Sequence, residues 1–511
     1  MKSTIMDFDL TIHDIFWRIE KLYKEKEIVS RLKDNEIVRY TYLDFSKRVR
    51  KLANFLKKYE IKNNVVGSIA WNTHRHLELY FAVPMLGGVL HTINVRFHPT
   101  EMEYVINFAK DKIVFYDEEI PKSLEENTNA TFISMNTIDN IVKEETEIGE
   151  FEDVNEKDGA IMCFTSGTTG HPKGVIYSHR SVFIHSLTLL SLIKENDIVM
   201  PVVPMFHISA WDVPFATMMT GSKLVLPGIK PSSADLANLI EKERVTLTVG
   251  APTVWISFLD YLRNNKYDIS SLRYIITGGA EPPKGMVKEF LEKYGVSVIH
   301  AWGMTETEAI TTINTSKNIE EISKQGISLP SIEYTLITPD GKEGQWDGKT
   351  IGELIIRGSW VINEYYNDEK RTNESFVEIN GKKWLKTGDL VVISKDGNIK
   401  IVDRTKDIIK SGGEWISSID LENAIMSYEP VLEAVVIGVK DEKWGERPIA
   451  MVVLKDEYKN KIRGDDILNY LQSLNKFPKW WLPDKILFVD SIPKTSTGKL
   501  DKKVLRNITS K

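Results

Sequence analysis

Thr165-Ser-Gly-Thr-Thr-Gly-His-Pro-Lys-Gly-Val175 sets four hydroxyl side chains and three glycines within eleven residues, directly after the strand-like run 160–164. Small residues let backbone N–H groups come close to an anion, and Thr165, Ser166, Thr168 and Thr169 add side-chain donors. With Gly167, Gly170 and Lys173, the stretch therefore reads as a phosphate cradle. It is not the Walker A arrangement, because Lys173 follows Pro172 and precedes Gly174, where that motif needs Gly-Lys-Ser/Thr. No helix starts here either. Residues 175–177 read as another strand, and Ser178 is the better N-cap for a helix carrying Val182, Leu189, Leu190 and Ile193. A cradle between two strands, rather than between a strand and a helix, sets the fold apart from the P-loop class. Taken alone, the segment also reads as a plain surface loop.

From Gly67 onward, short apolar runs alternate with amphipathic stretches: strand-like 67–70, helix-like 74–84, strand-like 113–116. The rhythm recurs through 223–226, 233–242, 246–249, 253–263, 272–277 and 285–293. Strands alternating with helices predict α/β layering. Between about 320 and 400 the pattern changes to short strands separated by Thr338-Pro-Asp-Gly341, Asn380-Gly381 and Asp396-Gly397, which predicts a β-rich subdomain. After Asp403 the order becomes helix (419–426), strand (432–439), strand (449–454), helix (465–474), strand (486–489) and a terminal helix from Leu500. The expected organisation is a large N-terminal α/β body over 1–403 and a small, mobile C-terminal α+β domain over 404–511. Between them the charged stretch 403–407 reads as a defined hinge rather than a floppy tether.

The chain has 511 residues, of which 42% are hydrophobic and 27% charged, so a packed core is expected rather than disorder or a disulfide scaffold. Its one cysteine, Cys163, forms no internal disulfide. A net charge of −6 gives no whole-chain positive field for holding nucleic acid. No apolar run approaches the roughly 18–20 residues that cross a bilayer, and the first twenty residues carry Asp7, Asp9 and Asp14 where a secretory signal would be basic and then apolar. A cytoplasmic protein with no transmembrane segment is the expectation.

Beyond the cradle, six segments follow in order: Met205-Phe-His-Ile-Ser-Ala210, Gly278-Gly-Ala-Glu281, Trp302-Gly-Met-Thr-Glu306, Thr387-Gly-Asp389, Asp403-Arg-Thr-Lys-Asp407 and Pro493-Lys-Thr-Ser-Thr-Gly-Lys499. Together with the cradle they resemble the motifs of the adenylate-forming superfamily of acyl-CoA synthetases, closest to its medium- and long-chain fatty-acyl branch. The resemblance implies ATP and CoA as substrates, Mg²⁺ as cofactor, and a small carboxylic acid as partner. No nucleic acid is expected, and a homodimer is the self-association considered. Glu306 would hold the metal, since Mg²⁺ commonly takes only one or two protein carboxylates. Thr305 would lie near the α-phosphate. Gly279, Ala280, Glu281 and Trp302 would line the adenine, and Asp389 and Arg404 the ribose, whose diol suits an acceptor-only carboxylate. Lys499 would be the adenylation lysine, a compact ammonium between two anions. Lys406 would be the hinge residue, and Ser411, Gly412, Gly413 and Glu414 would meet CoA.

For the acid itself, the resemblance implies an acyl pocket formed by His207, Trp211, Gly303 and Val254. Acetate- and propionate-activating relatives carry tryptophan at the position of Gly303, so glycine there is expected to leave the pocket floor open. Trp302 where tyrosine is usual, and Asp403 where glycine usually precedes the arginine, are departures from the wider family pattern. The expected reaction is AMP-forming fatty-acid–CoA ligation with a medium- or long-chain acid. The competing expectations are a short or hydroxylated aliphatic acid, a luciferase-like oxygenase, and a nucleotide- or fatty-acid-binding protein without turnover.

Overall fold

The computed structural model describes residues 1, 3–165, 171–493, 500 and 502–509, without the side chains of Ser209, Lys503 and 507–509. Among the described residues the strands form four sheets. The largest has nine strands. Its interior is parallel, running Ser297–Trp302, Tyr274–Gly278, Leu247–Gly250, Ile198–Pro201, Lys223–Leu226 and Glu27–Arg31. Antiparallel strands close both edges, Ile37–Thr41 on one side and Thr312–Asn314 with Ile327–Ser328 on the other. Ser233–Glu243, Pro252–Asn264 and Lys284–Tyr294 are three of the helices linking its parallel strands, as parallel pairing requires. Ser232 caps the first of these, and Pro252 opens the second where a missing N–H costs nothing.

A six-stranded sheet carries the quoted stretch. Gly159–Thr165 pairs parallel with Val89–Thr92 and antiparallel with Lys173–Ser178, so both ends of the quoted stretch lie on paired strands. Ser178 caps the helix His179–Leu189 and accepts from Ser181 N at 3.0 Å, as its sequence position implied.

The region 332–404 is a five-stranded antiparallel sheet with an Asn380-Gly381 turn in which both residues have positive φ. It also holds a short helix, Glu369–Ser375, that the strand pattern did not suggest; Asp368 caps it by accepting from Arg371 N at 3.0 Å. The last sheet joins Ile409–Ser411, Glu414–Ile416, Val431–Asp441, Gly445–Leu454 and Lys485–Phe488, and two buried apolar clusters draw only on residues 409–505. The fold is thus a large α/β body with a β-rich part and a C-terminal α+β unit. No described helix is long and apolar enough to cross a membrane.

Candidate active site

Ligands of open α/β sheets bind beyond the carboxyl ends of the parallel strands, and the sequence motifs converge there. Gly278 and Trp302 end neighbouring strands whose register pairs Thr277 with His300 and Gly278 with Ala301. Gly279, Ala280 and Glu281 follow the first strand, with Gly279 at φ +86°, a conformation that glycine adopts without penalty. Thr305 and Glu306 follow the second in a short 3₁₀ turn, and both are buried.

Three groups meet at this turn. The Tyr365 hydroxyl donates to Glu306 Oε1 at 2.7 Å, and Lys173 Nζ lies 3.4 Å from the same hydroxyl and 4.4 Å from the ring centroid. Lys173 also pairs across the ladder with Thr165, so the ends of the phosphate-cradle stretch sit beside the Glu306 carboxylate. Tyr177 donates to the Thr305 carbonyl at 2.7 Å and Ile362 N to the Glu306 carbonyl at 3.0 Å, which fixes the turn. Burial first, and the Glu306 carboxylate second, push the Tyr365 phenol well above its ordinary range, so it stays a donor. Tyr365 was not read from the sequence: it lies 59 residues beyond Glu306, among other aromatics.

Asp389 is buried between Trp302 Nε1, which donates to Oδ2 at 2.9 Å, and Arg404 Nε, 2.6 Å from Oδ1. Residues 389 and 404 are direct partners in one ladder, so three residues assigned to the nucleotide do come together. Glu281 accepts from Asn423 Nδ2 at 3.0 Å, a link from this strand end to the helix Ser418–Met426. Burial, then the nearby Asp420 charge, push its carboxyl up to about 7.

On the acyl side, Trp211 is buried and its indole lies 3.3 Å from where a Cβ on Gly278 would sit. His207 and Val254 are partly buried. Asn72 fastens the segment leading to His207: it donates to Pro201 O and Val203 O at 2.9 and 2.8 Å and accepts from Met205 N at 2.8 Å. Behind Trp211, His185 lies 2.8 Å from Asp212 Oδ2 and donates through Nε2 to Ile310 O at 2.9 Å. Ile208, Ala210, Trp211 and Asp212 all have positive φ, a costly backbone for non-glycine residues that this buried bracing holds in place. Burial and the Asp212 charge raise the Glu308 carboxyl well above its normal range.

Gly303 needs a different description from the one its sequence position suggested. A Cβ there would lie 1.3 Å from the Ala309 carbonyl oxygen, so in that direction the glycine faces backbone and not open space.

Gly412 and Gly413 form a two-residue hairpin turn, both with positive φ, between the strands that hold Ser411 and Glu414. Among the described residues no hydrogen bond or ion pair joins this hairpin to the Glu306, Tyr365 and Lys173 group. Lys406 lies in the turn after Arg404, where Thr405 N donates to Gly388 O at 2.9 Å. Asp403, unusual in its motif, is buried and accepts from Ser418 N at 2.6 Å and Ser418 Oγ at 2.7 Å. Ser166, Gly167, Thr168, Thr169, Gly170 and Lys499 lie outside the described residues.

The arrangement offers the buried Glu306 carboxylate, the Tyr365 donor and the Lys173 ammonium. Among the described residues no cluster of three or more acidic, His or Cys side chains could cage a metal ion. The Glu306 carboxylate is the kind of donor that Mg²⁺ takes, one or two at a time, beside phosphate and water oxygens.

The model of the AMP-binding enzyme family matches residues 16–366, and that of the AMP-binding enzyme C-terminal domain matches 420–499. A long-chain-fatty-acid–CoA ligase of Thermus thermophilus is 38% identical, with 99% of this chain and 96% of the relative covered. A medium-chain-fatty-acid–CoA ligase of Ectopseudomonas oleovorans is 35% identical over 99% of this chain and 97% of its own. Other relatives are named for other acids. Among solved structures, ATP-bound MatB from Rhodopseudomonas palustris superposes with a TM-score of 0.86 at 25% identity, covering 98% of this chain and 99% of that one.

Proposed function

The chain belongs to the AMP-binding enzyme family and is an AMP-forming acyl-CoA ligase with ATP and CoA as substrates, and from that premise we propose that its acid is a medium- or long-chain fatty acid. The observation that carries the proposal is Trp211, buried in an apolar segment against Gly278, at the end of the strand neighbouring the one that leads to the meeting of Lys173, Tyr365 and Glu306. A carboxylate is a poor electrophile at neutral pH. Its oxygen attacks the α-phosphorus of ATP and expels pyrophosphate; the CoA thiol then attacks the acyl carbon, and AMP leaves with the attacking oxygen.

In this reading residues 165–170 and Lys173 hold the phosphates, and Thr305 sits by the α-phosphate. Mg²⁺, when bound at Glu306, neutralises the phosphate oxygens. Gly279, Ala280, Glu281 and Trp302 line the adenine, while Asp389 and Arg404 meet the ribose. Lys499 offsets the repulsion between carboxylate and α-phosphate as they are forced together. His207, Trp211, Val254 and the Gly303 backbone bound the acyl chain. The unit 404–511 turns about Lys406 between the half-reactions and brings Ser411–Glu414 to the CoA. The enzyme works in the cytoplasm. Pyrophosphate release with ATP and Mg²⁺ across a panel of acids, with and without CoA, tests the specificity. Decanoate or a longer acid should exceed acetate and 4-hydroxybutyrate in kcat/KM; a preference for the short or hydroxylated acids would overturn it.

A further inference from the structure

The chain holds a cavity of about 250 Å³ far from the strand ends just described. It opens where those strands begin: Tyr274 and Ser297, the first residues of Tyr274–Gly278 and Ser297–Trp302, both line it. At roughly 3.3 Å per residue these first residues lie about 15 Å from Gly278 and Trp302, and Ile299, the lining residue farthest along its strand, lies about 10 Å from Trp302. None of the residues assigned to the acyl pocket, His207, Trp211, Gly303 and Val254, is in its lining.

Its chemistry is divided. The floor is apolar, with Val287, Val298 and Ile322 buried and Leu291 partly so. The rim is cationic: Lys194, Arg273 and Lys317 line it, and no acidic residue does, in a chain whose net charge is −6. Two of these cations are already engaged. Lys194 donates to Leu190 O at 2.8 Å, and Arg273 is paired with Asp197, which lies outside the lining. A guanidinium has five N–H donors and an ammonium three, so donors remain on both. Among the described residues Lys317 has no carboxylate partner.

An apolar floor under a rim whose charged lining groups are all cationic suits a ligand with an aliphatic body and one anionic end. We infer that this cavity is a second, non-catalytic site for a medium-chain fatty acid, its carboxylate at Lys194, Arg273 and Lys317 and its chain against Leu291 and Val298. The choice of ligand class rests on the function proposed above. The volume suits a single chain and is too small for an acyl-CoA. A molecule bound here touches the starts of the two strands whose ends carry the adenine and metal segments, so the site can sense the same acid that the catalytic end consumes.

The test is equilibrium binding of decanoate to the full-length protein by calorimetry, with the catalytic site filled by a non-hydrolysable decanoyl-adenylate analogue. Wild type should still bind one decanoate per chain. Lys194→Glu/Lys317→Glu, changes on exposed side chains, should weaken that binding by about tenfold or more, the weight of one charge-assisted contact. Leu291→Trp, which fills the cavity, should abolish it, and both variants should make decanoyl-CoA at the wild-type rate when decanoate is scarce. Decanol and acetate should compete poorly, each lacking one half of the ligand. The inference is overturned if no decanoate binds beside the analogue, if the charge variant binds it as wild type does, or if decanol binds as tightly as decanoate. Decanoate binding without decanoyl-CoA synthesis would retain the site and discard the proposed function; synthesis without second-site binding would do the reverse.

Discussion

Tyr365 is the residue on which the site's geometry turns, because its hydroxyl orients Glu306 while its ring lies under Lys173. Tyr365→Phe keeps the ring and removes the donor. Hydrogen bonds to charged groups are worth roughly 1.5–3 kcal/mol, so adenylation should slow by about 10- to 100-fold and need more Mg²⁺. Pyrophosphate release titrated against Mg²⁺ checks this, and an unchanged Mg²⁺ dependence would remove Tyr365 from the site. Gly303 carries an equally definite expectation. Since a Cβ there meets the Ala309 carbonyl oxygen at 1.3 Å, even Gly303→Ala must move backbone. Gly303→Trp should therefore lower the melting temperature before it shortens the acyl preference. A stable Gly303→Trp protein that had switched to acetate would show that the 309 turn yields easily and that the open-floor reading was right. The sequence named Glu306 and Lys173 through their motifs, but Tyr365, Asn72 and the His185–Asp212 pair are joined to the site across 27 to 192 residues, beyond the reach of local spacing.

Among the elements, the strand Ile399–Arg404 serves two neighbours. It pairs with Lys382–Ile393, and through the Asp403 carboxylate it holds the start of Ser418–Met426. Here the departure from the motif has a physical cause, since a glycine would leave Ser418 N and Oγ without this acceptor. Loss of such a cap costs about 0.5–2 kcal/mol, so Asp403→Gly should destabilise the C-terminal unit by that order in urea unfolding followed by tryptophan fluorescence; no change would mean that water replaces the carboxylate. The interior strands Lys223–Leu226, Leu247–Gly250 and Tyr274–Gly278 were legible because buried parallel strands are short apolar runs between helix patterns. Glu27–Arg31 and its antiparallel edge neighbour Ile37–Thr41 were not, since the first has charged ends and pairs with Lys223–Leu226 almost two hundred residues away. Glu369–Ser375 escaped notice because it is a single short helix within a run of strands and turns.

At the scale of the whole molecule, one site is asked to perform two reactions in sequence, and Lys499 should matter to only one of them. Removing a preorganised donor to developing charge costs roughly 10²–10³ in rate. Lys499→Ala should lose that much in acyl-adenylate formation yet convert supplied acyl-adenylate and CoA to thioester, as single-turnover kinetics would record. An equal loss in both halves would mean that the C-terminal unit does not withdraw its lysine. That two units exist was readable from the change of element order after Asp403; how they meet was not, because the Glu281–Asn423 contact joins residues 142 apart with no shared motif. The central claim, that the acid is activated as an acyl-adenylate, has a direct isotopic test. With decanoate labelled in both carboxylate oxygens with ¹⁸O, one labelled oxygen must become part of AMP when CoA takes the acyl group, while pyrophosphate stays unlabelled. Mass spectrometry of the nucleotide product should therefore find AMP carrying one ¹⁸O for each decanoyl-CoA formed. Unlabelled AMP, or ADP with labelled inorganic phosphate, would contradict the account.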